Sequence, residues 1–238
     1  MKLLFSILLI LLVGCSQELP IVEKHIIIKR PIVKEDTRNP WFKEFDDNYQ
    51  INHDYLGNIY FESGLFDLEV FKSDDYDEYL RTNWRDGTYD IGGSIFIDPY
   101  ASLDSQNICF YGHNYDSGDK MFTPLHMLKD EANYASNRII KFDMRNESRV
   151  YEIAYVFYVE IKTNGGYSYI DDLYYMHESY NNDELEAYRL AIENVEFYDT
   201  GIKLNPDDNW ITLQTCVSGE DNLRLIVVAK EIERNNIR

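Results

Sequence analysis

Cysteine is scarce in this chain: three residues in 238, at positions 15, 109 and 216. So small a number excludes the disulfide framework of secreted mini-proteins. A single bond between Cys109 and Cys216 stays open on the count alone, but it would consume any reactive thiol, so both are read as free. Proline (6) and glycine (12) are also few, which argues against disordered or collagen-like tracts. Basic residues number 23 against 42 acidic ones, for a formal charge of -19. A field of that sign repels phosphate backbones and excludes nucleic acid as a partner. The N-terminal apolar run, Leu3 to Val13, falls short of the ~20 residues that a membrane-crossing helix needs.

What is present at the N-terminus is an address. Met1-Lys2, the short apolar core and then Leu12-Val13-Gly14-Cys15-Ser16 have the layout of a cleaved leader. The last five residues resemble a bacterial lipobox, in which the cysteine thiol receives a lipid before cleavage. Residues 1–14 are therefore expected to be a lipoprotein signal peptide and Cys15 a lipidation site, with an uncleaved signal-anchor as the competing reading. Residues 15–38 read as a tether, and residues 39–238 as a single domain.

Twenty tyrosines and twelve phenylalanines favour aromatic-rich strands. Strand-like stretches bounded by turn residues fall at 57–62, 66–71, 91–97, 107–112, 138–143, 149–161, 209–215 and 223–230. The longest has a period-2 face of Tyr151, Ile153, Tyr155, Phe157, Val159 and Ile161. Helices are expected at four places. Asn39-Pro40 caps one carrying Trp41, Phe42, Phe45 and Tyr49. Ser73-Asp74-Asp75 opens a second with Tyr76, Tyr79 and Leu80 on one face. Thr123-Pro124 starts a short third, and Asn182-Asp183-Glu184 a fourth with Leu185, Tyr188 and Ile192 in register. Many strands with few helices predict a mainly β fold: a closed or nearly closed barrel with helical insertions and an N-terminal helix.

Three residues at strand ends carry the chemistry. Cys216 closes the alternating stretch Trp210-Ile211-Thr212-Leu213-Gln214-Thr215-Cys216, where the chain enters a polar loop. Arg224 lies where it re-enters a strand, and a hairpin would bring the guanidinium beside the thiol, favouring thiolate or an oxyanion. His113 follows Tyr111-Gly112 at the end of another strand and has the side chain suited to moving a proton between amines. Cysteine, histidine and arginine so placed make a candidate acyl-transfer site, although spacing alone does not bring them together.

Thr212-Leu213-Gln214-Thr215-Cys216 resembles the TLxTC signature of the sortases, Arg224 stands where that family keeps an arginine, and Tyr111-Gly112-His113-Asn114 is similar to its histidine motif. Gly93-Ser94-Ile95-Phe96-Ile97-Asp98, Met121-Phe122-Thr123-Pro124-Leu125 and the helical insertion before the cysteine strand point to class B. The resemblance runs from about residue 39 to the C-terminus. It implies an eight-stranded sortase-type barrel and a cycle in which Cys216 attacks a sorting motif, a thioester forms and a peptidoglycan amine resolves it. His113 would serve as acid and then base, Arg224 would hold substrate and oxyanion, and Thr215 and Asn114 would touch the peptide. The implied partners are surface proteins carrying a sorting motif and a peptidoglycan amine; the N-terminus departs from the pattern, because class B sortases usually carry an uncleaved signal-anchor, and its lipobox-like Cys15 adds the membrane through a lipid. The implied location is the outer face of a Gram-positive plasma membrane. No metal and no cofactor are expected.

Other readings remain open on the sequence. A pilin-polymerising sortase or a hydrolase would share the thioester, and a non-catalytic lipoprotein could use a barrel to bind a ligand. Cys109, between Ile108 and Phe110, reads as buried and inert. His25, His53, His126 and His177 read as surface or packing residues. The pairs Asp74-Asp75, Asp171-Asp172 and Asp207-Asp208 read as solvated charge, lacking the spacing of a Ca²⁺ loop.

Overall fold

Alternating apolar residues are set into strands in a computed structural model, which describes residues 39–75, 77–115, 120–161 and 177–237. The leader, Cys15, the tether, His25, Tyr76 and Asp171-Asp172 lie outside the described residues. Among the described residues the strands are β1 (Tyr55–Phe61), β2 (Asp67–Phe71), β3 (Ile95–Ile97), β4 (Asn107–Tyr111), β5 (Ile139–Met144), β6 (Glu147–Glu160), β7 (Trp210–Val217) and β8 (Glu220–Asn236). They close into a barrel in the order β1-β2-β3-β4-β7-β8-β6-β5. The β2–β3 and β4–β7 pairs are parallel and the others antiparallel. The mainly β, eight-stranded barrel expected from the sequence is therefore the fold.

Inward positions such as Ile59, Val70, Ile97, Phe110, Phe142, Ile211 and Val227 form one core with almost no exposed area. Burying each such side chain stabilises the fold by about 2 kcal/mol. Two further clusters lie outside the ring. One packs under α1 (Pro40–Ile51) through Phe45, Tyr55, Phe71, Tyr79 and Phe96. Asn39 caps α1 by accepting from the Trp41 amide, and the Trp41 indole donates to the Met144 carbonyl at 2.9 Å. The short α2 (Tyr134–Asn137) precedes β5, and α3 (Asn182–Glu193) covers the other cluster with Leu185, Tyr188 and Ile192 over Trp210, Ile226 and Val228. The helix begins with a full capping box between Asn181 and Glu184.

Two expectations are corrected. The segment opened by Ser73 is not a helix of several turns but a single 3-10 turn, Glu78–Leu80. The Ser73 hydroxyl and the Asp75 carboxylate accept from amides two residues on, and such local bonds offer the backbone an alternative to a helix. The expected strand at 91–97 is only Ile95–Ile97, because Gly93 turns at φ +57°. A Cβ there would meet the Tyr79 carbonyl oxygen at 2.3 Å and that of Leu80 at 2.6 Å, so the glycine lets the 79–81 turn lie against the barrel.

Candidate active site

The hairpin of β7 and β8 pairs Cys216 with Arg224 directly across the strands. Directly opposed residues share one face of a sheet, so the thiol and the guanidinium emerge together. The carbonyl of Gln214 is committed in the other direction, to the Gly112 amide at 3.2 Å. Cys216, two residues on, is therefore in a non-hydrogen-bonded pair with Arg224, the kind in which facing side chains come closest. The parallel pairing of β4 with β7 runs from Asn107↔Trp210 to Tyr111↔Gln214, which delivers His113 to the same end of the barrel. Leu80, Ser94, Phe96, Tyr111, Gly112, His113, Gln214, Thr215, Cys216 and Arg224 line one cavity of about 220 Å³. His113, from a distant part of the sequence, thus meets the hairpin pair Cys216 and Arg224 in a single cleft.

Gly112 is required where it stands, since a Cβ would lie 2.5 Å from the Ile95 side chain and 2.7 Å from the Phe122 ring. The half-buried His113 ring places Nε2 2.7 Å from the Leu80 carbonyl oxygen. A carbonyl can only accept, so Nε2 carries a proton and Nδ1 holds the lone pair of the neutral ring. The Arg81 guanidinium lies 3.1 Å from the same Nε2 and also donates to the Ile91 carbonyl. Burial lowers the imidazole's affinity for a second proton, the Arg81 charge lowers it further, and the Leu80 carbonyl opposes both. The Arg224 guanidinium is steadied by the carbonyls of Asp221 (2.9 Å) and Leu223 (3.0 Å).

Cys109 and Cys216 are both free, and their surroundings differ. Cys109 is buried, and burial together with nearby Asp98 pushes its thiol far above the ordinary range; Cys216 is partly open to the cleft. Thr215 is buried with no hydrogen-bond partner for Oγ1 among the described residues. Asn114 does not line the cleft, and its amide donates to the Ser218 hydroxyl at 2.9 Å. Among the remaining histidines, His53 meets the Tyr49 ring and His177 the Tyr180 ring edge-on. His126 is not simply a surface or packing residue, because its Nε2 lies 3.0 Å from the Cys216 carbonyl oxygen.

The profile of the Sortase domain matches residues 75–232. Clostridium perfringens sortase B is 30% identical, with 79% of this chain and 99% of that one aligned at a TM-score of 0.68. The chain belongs to the sortase family, class B. A mutant form of the Clostridium perfringens enzyme aligns at TM-score 0.70 and 29% identity over 80% of this chain and 87% of that one. Sortase B of Listeria monocytogenes is 26% identical over 75% of this chain and 69% of its own length. A Staphylococcus aureus sortase B–substrate complex shares the fold at TM-score 0.69 and 22% identity, covering 80% of this chain and 85% of that one. This sortase is accordingly an enzyme, a cysteine transpeptidase. Sequence reasoning missed Leu80, which lines the cleft, and Arg81 and His126, which contact the His113 ring and the Cys216 carbonyl. Leu80 and Arg81 act on His113 through a main-chain oxygen and a charge 33 and 32 residues away, and no local pattern in the sequence signals either.

Proposed function

We propose that Cys216 is the nucleophile of a transpeptidation that cuts a C-terminal sorting motif and joins the protein to a cell-wall peptidoglycan amine. The observation that carries the reading is the shared cleft of Cys216, His113 and Arg224. As sulfur attacks the scissile carbonyl, the thiol proton passes to the His113 imidazole and then to the departing amine, leaving a thioester. The incoming amine attacks that thioester and returns its proton to the imidazole, the C–S bond breaks, and the thiol is restored. Arg224, fixed beside Cys216, stabilises the negative oxygen of each tetrahedral intermediate. Thr215, which lines the cleft and has no hydrogen-bond partner for its hydroxyl among the described residues, contacts the sorting peptide, whereas Asn114 is turned away to Ser218.

The test is a screen of C-terminal peptide libraries against the full chain in detergent micelles, followed by mass spectrometry of the acyl-enzyme. Trapped adducts should map to Cys216 and vanish in Cys216→Ala; adducts on Cys109, or persistence in Cys216→Ala, would refute the assignment. Offering the isolated acyl-enzyme peptidoglycan amines, a lysine-bearing pilin or buffer alone separates wall anchoring from pilin polymerisation and hydrolysis. The peptidoglycan amine should resolve it fastest.

The enzyme acts at the outer surface of a Gram-positive cell, held by lipid on Cys15. The lipobox-like Leu12-Val13-Gly14-Cys15 supports this. A radiolabelled fatty acid should enter the parent chain and not Cys15→Ser. Equal labelling of the two would exclude the anchor.

A further inference from the structure

The barrel leaves the backbone of Cys216 with an acceptor that β4 does not reach. The last rung between the two strands is the Gly112 amide on the Gln214 carbonyl, at 3.2 Å. Carbonyls two residues apart on a strand point the same way, so the Cys216 carbonyl faces the side from which β4 has departed. The chain there has already turned off. The His113 carbonyl accepts from the Phe122 amide at 3.0 Å, and the Asn114 side chain runs to Ser218.

His126 fills the gap. It sits, half-buried, on the 3-10 helix Thr123–Lys129, and its Nε2 lies 3.0 Å from the Cys216 carbonyl oxygen. Since that oxygen can only accept, Nε2 is the donor. One segment therefore grips both reacting residues by their main chain: Phe122 holds the carbonyl of His113 and His126 holds that of Cys216. The segment is itself fixed, because the Phe122 ring is fully buried and occupies the space that a side chain at position 112 would need.

We propose that His126 is a positioning residue of the transpeptidase, replacing the missing rung at the end of β7 and setting the place of Cys216 relative to the His113 imidazole. It touches neither the substrate nor the sulfur; it acts through the backbone of the nucleophile. The proposal rests on Cys216 being that nucleophile.

The experiment compares His126→Phe, which keeps the ring and loses the donor, with His126→Gln, which keeps a donor. The full chain is used, with a fluorescence-quenched peptide selected in the library screen and Cys216→Ala as control. Losing one hydrogen bond should lower kcat in His126→Phe about tenfold while KM stays within about twofold, and His126→Gln should return kcat to within about threefold of the parent. A kcat in His126→Phe within about twofold of the parent, or a His126→Gln no better than His126→Phe, overturns the proposal. Melting curves run alongside. If His126→Phe melts below the assay temperature, His126→Gln decides alone: a kcat within about threefold supports the role, and a lower one sinks it. Turnover persisting in Cys216→Ala would instead refute the nucleophile assignment, while an inactive Cys216→Ala beside a fully active His126→Phe refutes only the positioning role.

Discussion

In the proposed cycle the His113 imidazole accepts a proton from a thiol and later one from an amine, and the groups around Nε2 set how readily it does so. A backbone oxygen at 2.7 Å fixes the tautomer, and a guanidinium at 3.1 Å resists a second proton. Because burial and Arg81 both lower the titration of this ring from its ordinary value of 6.5, the neutral form prevails at neutral pH. Replacing Arg81 by Gln removes one depressing charge. The titration midpoint of His113, followed by NMR of its ring protons, should then move up, and the acid limb of the pH–rate profile should move with it. An unmoved midpoint would show that solvent screens the exposed Arg81. Cys216, His113 and Arg224 were legible because each ends or begins an alternating stretch and stands in a motif. His126 was not, because its partner is a main-chain oxygen 90 residues away, which leaves no trace in local spacing.

At the scale of elements, the 79–81 turn and Gly93 form one device. The turn presents the Leu80 carbonyl to His113, and Gly93 lets it approach. Gly93→Ala adds a Cβ that would overlap two carbonyl oxygens, in a left-handed backbone region that favours glycine. The variant should melt lower by roughly 1–3 kcal/mol of stability and lose kcat beyond what unfolding explains, both read from melting curves and turnover at low temperature. Full activity in a destabilised Gly93→Ala would detach the turn from His113. All eight strands overlap strand-like stretches bounded by turn residues, although only β1 and β5 alternate cleanly in burial, β3, β4 and β7 being buried on both faces. The long face of β6 was only half right. A register shift between Ile153 and Tyr155 sends Tyr151, Ile153 and Val156 into the barrel core and Tyr155, Phe157 and Val159 under α3. Such a bulge changes phase without changing composition, so alternation alone does not reveal it.

For the whole molecule, the acidic balance has a focal point at Glu196. One oxygen of its carboxyl is buried with no hydrogen-bond partner among the described residues, and burial, helped by Asp199 and Glu193, pushes the group up to about 7 against the opposing Lys203. Between pH 4.5 and 7 the unfolded chain releases this proton while the folded one keeps it. The native state therefore binds more protons in that window, and stability falls as pH rises through it, levelling off above. Glu196→Gln has no proton to lose, so its melting temperature relative to the parent should climb from pH 4.5 to pH 7 and then stay constant. A difference independent of pH would place the titration elsewhere. The order of the ring carries a consequence of its own. The final two strands do not extend the sheet at a margin; they wedge between β4 and β6, and every other pairing is made by earlier residues. A chain growing from its N-terminus thus has an open trough until its last segment arrives, and sulfur and guanidinium enter with that segment. The cleft is incomplete at any earlier point in synthesis, and a protein cut short there would have neither a sealed wall nor the Cys216 thiol.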